Sequence, residues 1–234
     1  MKLSAKQNIQ PPQLPKHLPA ETVESLEDHG EYSSLGLSGC DLTHQVASDV
    51  LFEQVHFRRA VFTRTHLVRI RLADTRAEVS DLSGANWEKA RFRRAEFIGC
   101  RLLGIQLLDA QLEDVLFKDC NLEGSVFVST TFKAVRFEKC ILRGAVFEEA
   151  DLTGTVFYQC DLTNAGLRGT KLHGADFRGS TINGMQASAK ELQGAIIEPT
   201  QAIQVVSLLG VTVLDNGGSN HELLARGKSE AERN

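Results

Sequence analysis

The chain has 234 residues, is 42% hydrophobic and carries a formal net charge of −4. That length suits one sizeable domain, and the charge is too mild for a polyanionic tail or a strongly basic nucleic-acid binder. Its five cysteines are odd in number and none falls in a C-x-x-C pair. This argues against a zinc ribbon or a thioredoxin-like redox site and fits reduced thiols in a cytoplasmic protein.

Taken in chain order, residues 1–19 hold four of the five prolines and are expected to form a disordered tail. They contain no apolar core of signal-peptide length, and no segment approaches the roughly 18–20 apolar residues of a membrane span. "PAETVESLEDHG" (19–30) reads as a short helix, with Pro and Glu early and Gly30 after it, so residues 20–34 are expected to be an N-terminal helical cap.

Residues 35–199 repeat with a period of five. In "CILRGAVFEEADLTGTVFYQC" (140–160), Leu142, Phe147, Leu152 and Phe157 keep that beat, which neither the 3.6 period of a helix nor the 2 of a strand produces. Counting from Leu37 to Ile182, 28 of 30 such positions are Leu, Ile, Phe or Trp, the exceptions being Ala47 and Ala77. All 12 phenylalanines and the only tryptophan lie on them. Two residues earlier stands a small residue, as in Ala85, Ala90 and Cys100. Two residues later Gly recurs, as in Gly84, Gly124 and Gly144, where it supplies positive φ without a Cβ clash. A chain that turns every five residues with two inward side chains per turn closes a four-sided coil.

After the repeats, Thr200 can N-cap a helix running to Leu209, Gly210 stops it, and Val211–Leu214 reads as a short strand. Residues 200–214 are therefore expected to cap the last coil, and 215–234 to form a flexible polar tail.

"ADLTG" (150–154), "CDLTN" (160–164) and "GADFRG" (174–179) resemble the A(D/N)LXX signature of pentapeptide-repeat proteins. That resemblance implies an all-β fold, a right-handed quadrilateral parallel β-helix with four pentads per coil, here about 7.5–8 coils between short helical caps. Residues twenty apart then stack, so Cys40, Cys100, Cys120, Cys140 and Cys160 share one column and serve as small buried wedges. "LLGVTVLD" (208–215) resembles the C-terminal module of the Qnr-type members. It implies a homodimer through Ile203, Val206, Leu209, Val211, Val213 and Leu214.

The sequence shows no catalytic constellation, no metal-ligand spacing and no cofactor motif, so a non-catalytic binding protein is expected. Function then falls on the outer faces. Leu108, Val126, Val128 and Val146 flank three stacked inward positions and form a candidate stripe for a protein partner. Residues 50–101 carry 11 Lys or Arg against 6 Asp or Glu. Arg69, Arg71, Lys89, Arg91, Arg93 and Arg94 gather there as a candidate patch for an anion or an acidic partner. The family resemblance points to DNA gyrase or another topoisomerase as partner, with quinolone protection or DNA mimicry as the role. A nucleic acid bound through the Arg91 face is a third reading.

Overall fold

A computed structural model describes residues 9–214. The predicted period of five becomes a parallel β-helix of about seven turns. Each residue pairs with the one twenty positions on: Gln111 with Thr131, Leu112 with Phe132, Phe117 with Phe137. Two walls merge into one ten-stranded sheet, because the strands Arg71–Glu78, Arg91–Ile98, Gln111–Lys118 and Thr131–Glu138 turn the corner without breaking. The other walls are held by the short pair Val46–Ser48 with His66–Val68 and by single bridges such as Asn121 to Ile141 and Val126 to Val146.

Corners follow from the third regular position. Two residues past each inward side chain the backbone is left-handed, as at Gly124 (φ 65°) and Gly144 (φ 61°), and also at Asp109 (52°), Lys139 (52°) and Val79 (53°). Glycine meets this demand freely, whereas a β-branched residue is strained there.

The predicted inward positions are the core. Phe97, Phe117, Phe137, Phe157 and Phe177 stack face to face at 4.8–5.1 Å between ring centres. Each is almost fully buried, worth ~1.5–3 kcal/mol over exposure. Trp87 Nε1 donates to Thr65 Oγ1 at 2.9 Å, so its one polar atom is satisfied inside.

The five cysteines are free and buried in one column, as expected, but they are more than wedges. Many corners close with an N–H to C=O bond three residues back, for example Ala145 to Leu142. Along the cysteine edge those bonds are missing until the last coil, which leaves the carbonyls of the phenylalanine column unpaired. Thiols from the next coil fill the gap. Cys120 Sγ donates toward Phe97 O at 3.3 Å, and Cys140 and Cys160 toward Phe117 O and Phe137 O at 3.4 Å. In the same column Ser180 Oγ donates to Phe157 O at 3.0 Å and accepts from the Cys160 amide at 2.9 Å. From Cys100 to Ser180 this column holds small residues that can donate, although Ala60 lower in it cannot.

Both ends differ from expectation. No helix forms over 19–30. Ala20–Glu21 is a strand paired with Gly36–Leu37, and Leu26 is buried with its amide bonded to Gln45 Oε1 at 3.2 Å. The exposed strand edge of the first coil offers this segment partners that a one-turn helix would forgo. The coil itself starts earlier than residue 35, since Glu31–Ser33 pairs with Leu51–Glu53 and Tyr32 stacks on Phe52 at 4.9 Å.

The predicted disorder of 1–19 fails over its described part. Residues 9–19 lie extended along the rod with Ile9, Pro12, Leu14 and Leu18 half-buried. Prolines pre-set that extended form and lower the entropy lost on docking. Residues 1–8 and 215–234, expected to be loose, lie outside the described residues.

At the C-terminal end a turn of 3-10 helix, Pro199–Gln201, leads into the helix Ala202–Leu208. Glu198 is the cap residue instead of Thr200, because Glu198 and Gln201 bond each other reciprocally. Buried Gln201 donates to Phe177 O at 2.8 Å and Ser180 O at 2.6 Å, ending the ladder that the cysteines serve below it. Gly210 follows the helix at φ 75°, as predicted. Val211–Leu214 is exposed and has no strand pairing among the described residues, since the end of the coil is already covered by Gln201 and the helix.

Candidate functional site

The C-terminal module carries the clearest surface signal. Ile203, Leu209, Val211, Val213 and Leu214 are each 45–62% exposed and lie within twelve residues, while Val206 is half-buried beside them. Elsewhere among the described residues large exposed apolar side chains are scattered singly: Val46, Val79, Ile141 and Tyr158. The five at the C-terminal end make residues 203–214 the most apolar exposed segment among the described residues.

The four residues of the outward stripe do stack on one another but are less exposed. Val126 and Val146 are bridge partners on consecutive coils, and the Asp109 amide bonds Val128 O, which sets Leu108 below Val128 on the other flank. All four are half-buried, because stacked neighbours cover the sides of each aliphatic chain.

The structure divides the six basic residues. Arg69, Arg71, Lys89 and Arg91 line one cleft of about 560 Å³, together with His29, Asp49, Asp109 and Gln111. Arg69 is bidentate to Asp49 at 2.8 and 2.5 Å, and Lys89 meets Glu88 at 2.9 Å. Arg71 and Arg91 are direct register partners and neither has a carboxylate partner among the described residues. Arg93 sits two residues further along the same strand, in register with Ala73 and Glu113, away from the cleft.

Arg94 leaves the patch altogether. It forks onto Asp74, the two being only 15% and 6% exposed. Burial works to raise the Asp74 carboxyl, but the Arg94 guanidinium and the Gln13 amide outweigh it and hold it below its ordinary value. Gln13 N–H donates to Asp74 Oδ1 at 2.9 Å and Gln10 N–H to Asp114 Oδ1 at 3.1 Å, so this corner is the dock for the N-terminal strap. Sequence reading missed that role. The one available clue is the pairing of a proline-rich extended segment with acidic corner residues that are not glycine.

No group of His, Cys, Asp or Glu with metal-binding geometry occurs among the described residues, and no helix there is long and apolar enough to cross a membrane.

The fold has a counterpart among solved structures. No curated protein sequence matches the chain. Among solved structures, a trypsin-treated variant of QnrB1, a plasmid-mediated fluoroquinolone resistance protein, is 18% identical. The match covers 84% of this chain and 100% of that one, with a TM-score of 0.52. HetL, a pentapeptide repeat protein involved in heterocyst differentiation regulation from the cyanobacterium Nostoc sp. strain PCC 7120, is 21% identical. It matches over 73% of this chain and 84% of its own, with a TM-score of 0.34. A model described as pentapeptide repeats (8 copies) matches residues 37–74 and 140–179, and one for the pentapeptide repeat region matches 76–138 and 90–155. These matches tile the coils whose inward columns, left-handed corners and twenty-residue register are described above, and the chain belongs to the pentapeptide-repeat family.

Proposed function

We propose that this protein is a non-catalytic binding scaffold that pairs with a second copy through residues 203–214 and presents the walls of its rod to a protein partner. The observation that carries this reading is the cluster of Ile203, Leu209, Val211, Val213 and Leu214, all exposed at one end of the molecule. Val211–Leu214 supports it further, as an exposed apolar segment in no named helix or strand. The five buried free thiols suit a reducing compartment, the cytoplasm in this reading.

Charging the module tests the pairing half. Ile203→Asp with Val213→Asp should convert a dimer to a monomer in sedimentation velocity with unchanged circular dichroism. If both forms sediment alike, the module is a cap and nothing more.

A second reading takes DNA gyrase or another topoisomerase as the partner. It is favoured by the alignment over the whole length of a fluoroquinolone resistance protein. A supercoiling assay with and without quinolone decides it, an unchanged drug response at tens of micromolar protein ruling it out. The basic cleft weighs against DNA mimicry, because it interrupts the acidic surface that mimicry uses.

A further inference from the structure

Charges on the walls stack by a rule. Residues twenty apart lie side by side, and between Asp41 and Glu198 two charged residues so related are nearly always of opposite sign. Many close as ion pairs, including Asp49 with Arg69 at 2.5 Å, Arg76 with Glu96 at 2.7 Å and Asp151 with Lys171 at 3.2 Å. Asp74 with Arg94 and Glu113 with Lys133 do the same. Like charges directly opposite each other on neighbouring strands destabilise a sheet, so this alternation is what a stable apo rod favours.

Two pairs break the rule: Arg71 with Arg91, and Arg69 with Lys89. Both breaks occur between the same two coils, two residues apart, and all four side chains line the cleft already described. Strand stacking places the paired backbones ~4.8 Å apart, so four cations crowd one short stretch of surface. Asp49 offsets Arg69, and Glu88 offsets Lys89, but Arg71 and Arg91 face each other and neither forms an ion pair with a carboxylate among the described residues.

We propose that the cleft is a binding site for one phosphoryl dianion, the terminal phosphate of a phosphomonoester or free phosphate, held between the Arg71 and Arg91 guanidiniums. Two parallel forks need an acceptor with at least three oxygens and two charges, since one carboxylate saturates one fork. Arg69 and Lys89 add charge at the rim. The site takes a single group instead of a nucleic-acid backbone, because Asp49 closes it on one side and Asp109 on the other. A duplex, with its charges ~1.7 Å apart along the axis, would lay further phosphates on those carboxylates. This site does not depend on the pairing of two copies.

Calorimetric titration of the full chain at low ionic strength tests it, with inorganic phosphate, O-phosphoserine and a duplex DNA as separate probes. Both small phosphates should bind once per chain and raise Tm, with sodium chloride at matched ionic strength giving no such rise. Arg71→Gln and Arg91→Gln should each weaken phosphate binding at least about tenfold, and Arg93→Gln, outside the cleft, should leave it unchanged. Arg91→Glu restores the alternation, so it should raise Tm in phosphate-free buffer and abolish the rise that phosphate gives. The proposal is overturned by any of three results: no saturable phosphate binding up to about 10 mM, equal losses from Arg93→Gln and Arg91→Gln, or binding of duplex DNA without binding of either small phosphate.

Discussion

Cys140 Sγ donates toward the carbonyl oxygen of Phe117 at 3.4 Å, one coil below and twenty-three residues back. The open corner at that edge leaves the carbonyl without its usual turn partner, and the thiol supplies it. The neighbouring Cys120 thiol and burial together push Cys140 up, so it remains a protonated donor at neutral pH. By contrast, Ser125 stands at a closed corner, where its own amide bonds Leu122 O at 3.1 Å, and its buried hydroxyl finds no partner.

Equivalent small-residue positions should therefore respond differently to alanine. Cys140→Ala removes a donor and leaves Phe117 O unpaired, at a cost of about 1–3 kcal/mol. Cys140→Ser keeps the donor and should cost less than Cys140→Ala. Ser125→Ala should be neutral or stabilising. Denaturant unfolding of the three variants checks the ordering, and equal losses at Cys140→Ala and Ser125→Ala would remove the distinction between corner types.

A second consequence concerns reactivity. All five thiols are buried and free, so native protein should react with a thiol reagent only as fast as it unfolds, and denatured protein at once. The labelling stoichiometry over time reads this directly, and rapid native labelling of all five would contradict the buried column.

Val79 places a β-branched residue at φ 53°, and it is 66% exposed, with little packing to lose. A left-handed L-residue costs roughly 1–2 kcal/mol, against about 0.5–1 kcal/mol of extra chain entropy for glycine. Val79→Gly should raise Tm by a small but measurable amount. The position twenty residues on, Gly99 at φ 61°, already makes that choice.

Much of this fold is legible because one short rule repeats. Phe117 and Phe137 could be stacked on paper, since five residues make a wall and four walls make a coil. The thiol column was visible too, but its reason was not. Spacing gives position, whereas the need for a donor follows from the turn bonds missing along that edge. The ends escaped prediction where local propensity met an unusual neighbour. The acidic residues of 19–30 suit a helix in isolation, yet the open edge at Gly36–Leu37 recruits Ala20–Glu21 as a strand. Among the basic residues, sequence could group Arg94 with Arg91, but not reveal that adjacent positions at a corner point to different partners. Arg94 turns to Asp74 and the strap.

The strap gives a pH prediction. Asp74 is held below its ordinary value in the folded chain, so its contribution to stability is complete above the unfolded carboxyl pKa of about 3.9 and is lost as pH falls through the lower folded value. The Gln13 amide resonance should therefore stay in its docked position down to about pH 4 and move only in stronger acid. Asp74→Asn should loosen its docking at neutral pH and destabilise the rod by up to about 3 kcal/mol, because Arg94, only 15% exposed, loses its bidentate partner. A Gln13 resonance indifferent to Asp74→Asn would show that the strap is held by its apolar side chains alone.

The central claim is that the exposed apolar end formed by Ile203 and Val211–Leu214 is covered by a second copy. Light scattering of the full chain across a hundredfold range of concentration tests it most directly. The account predicts a mass near twice the 25.7 kDa chain, falling toward one chain only on dilution. A mass of 25.7 kDa at every concentration would contradict it.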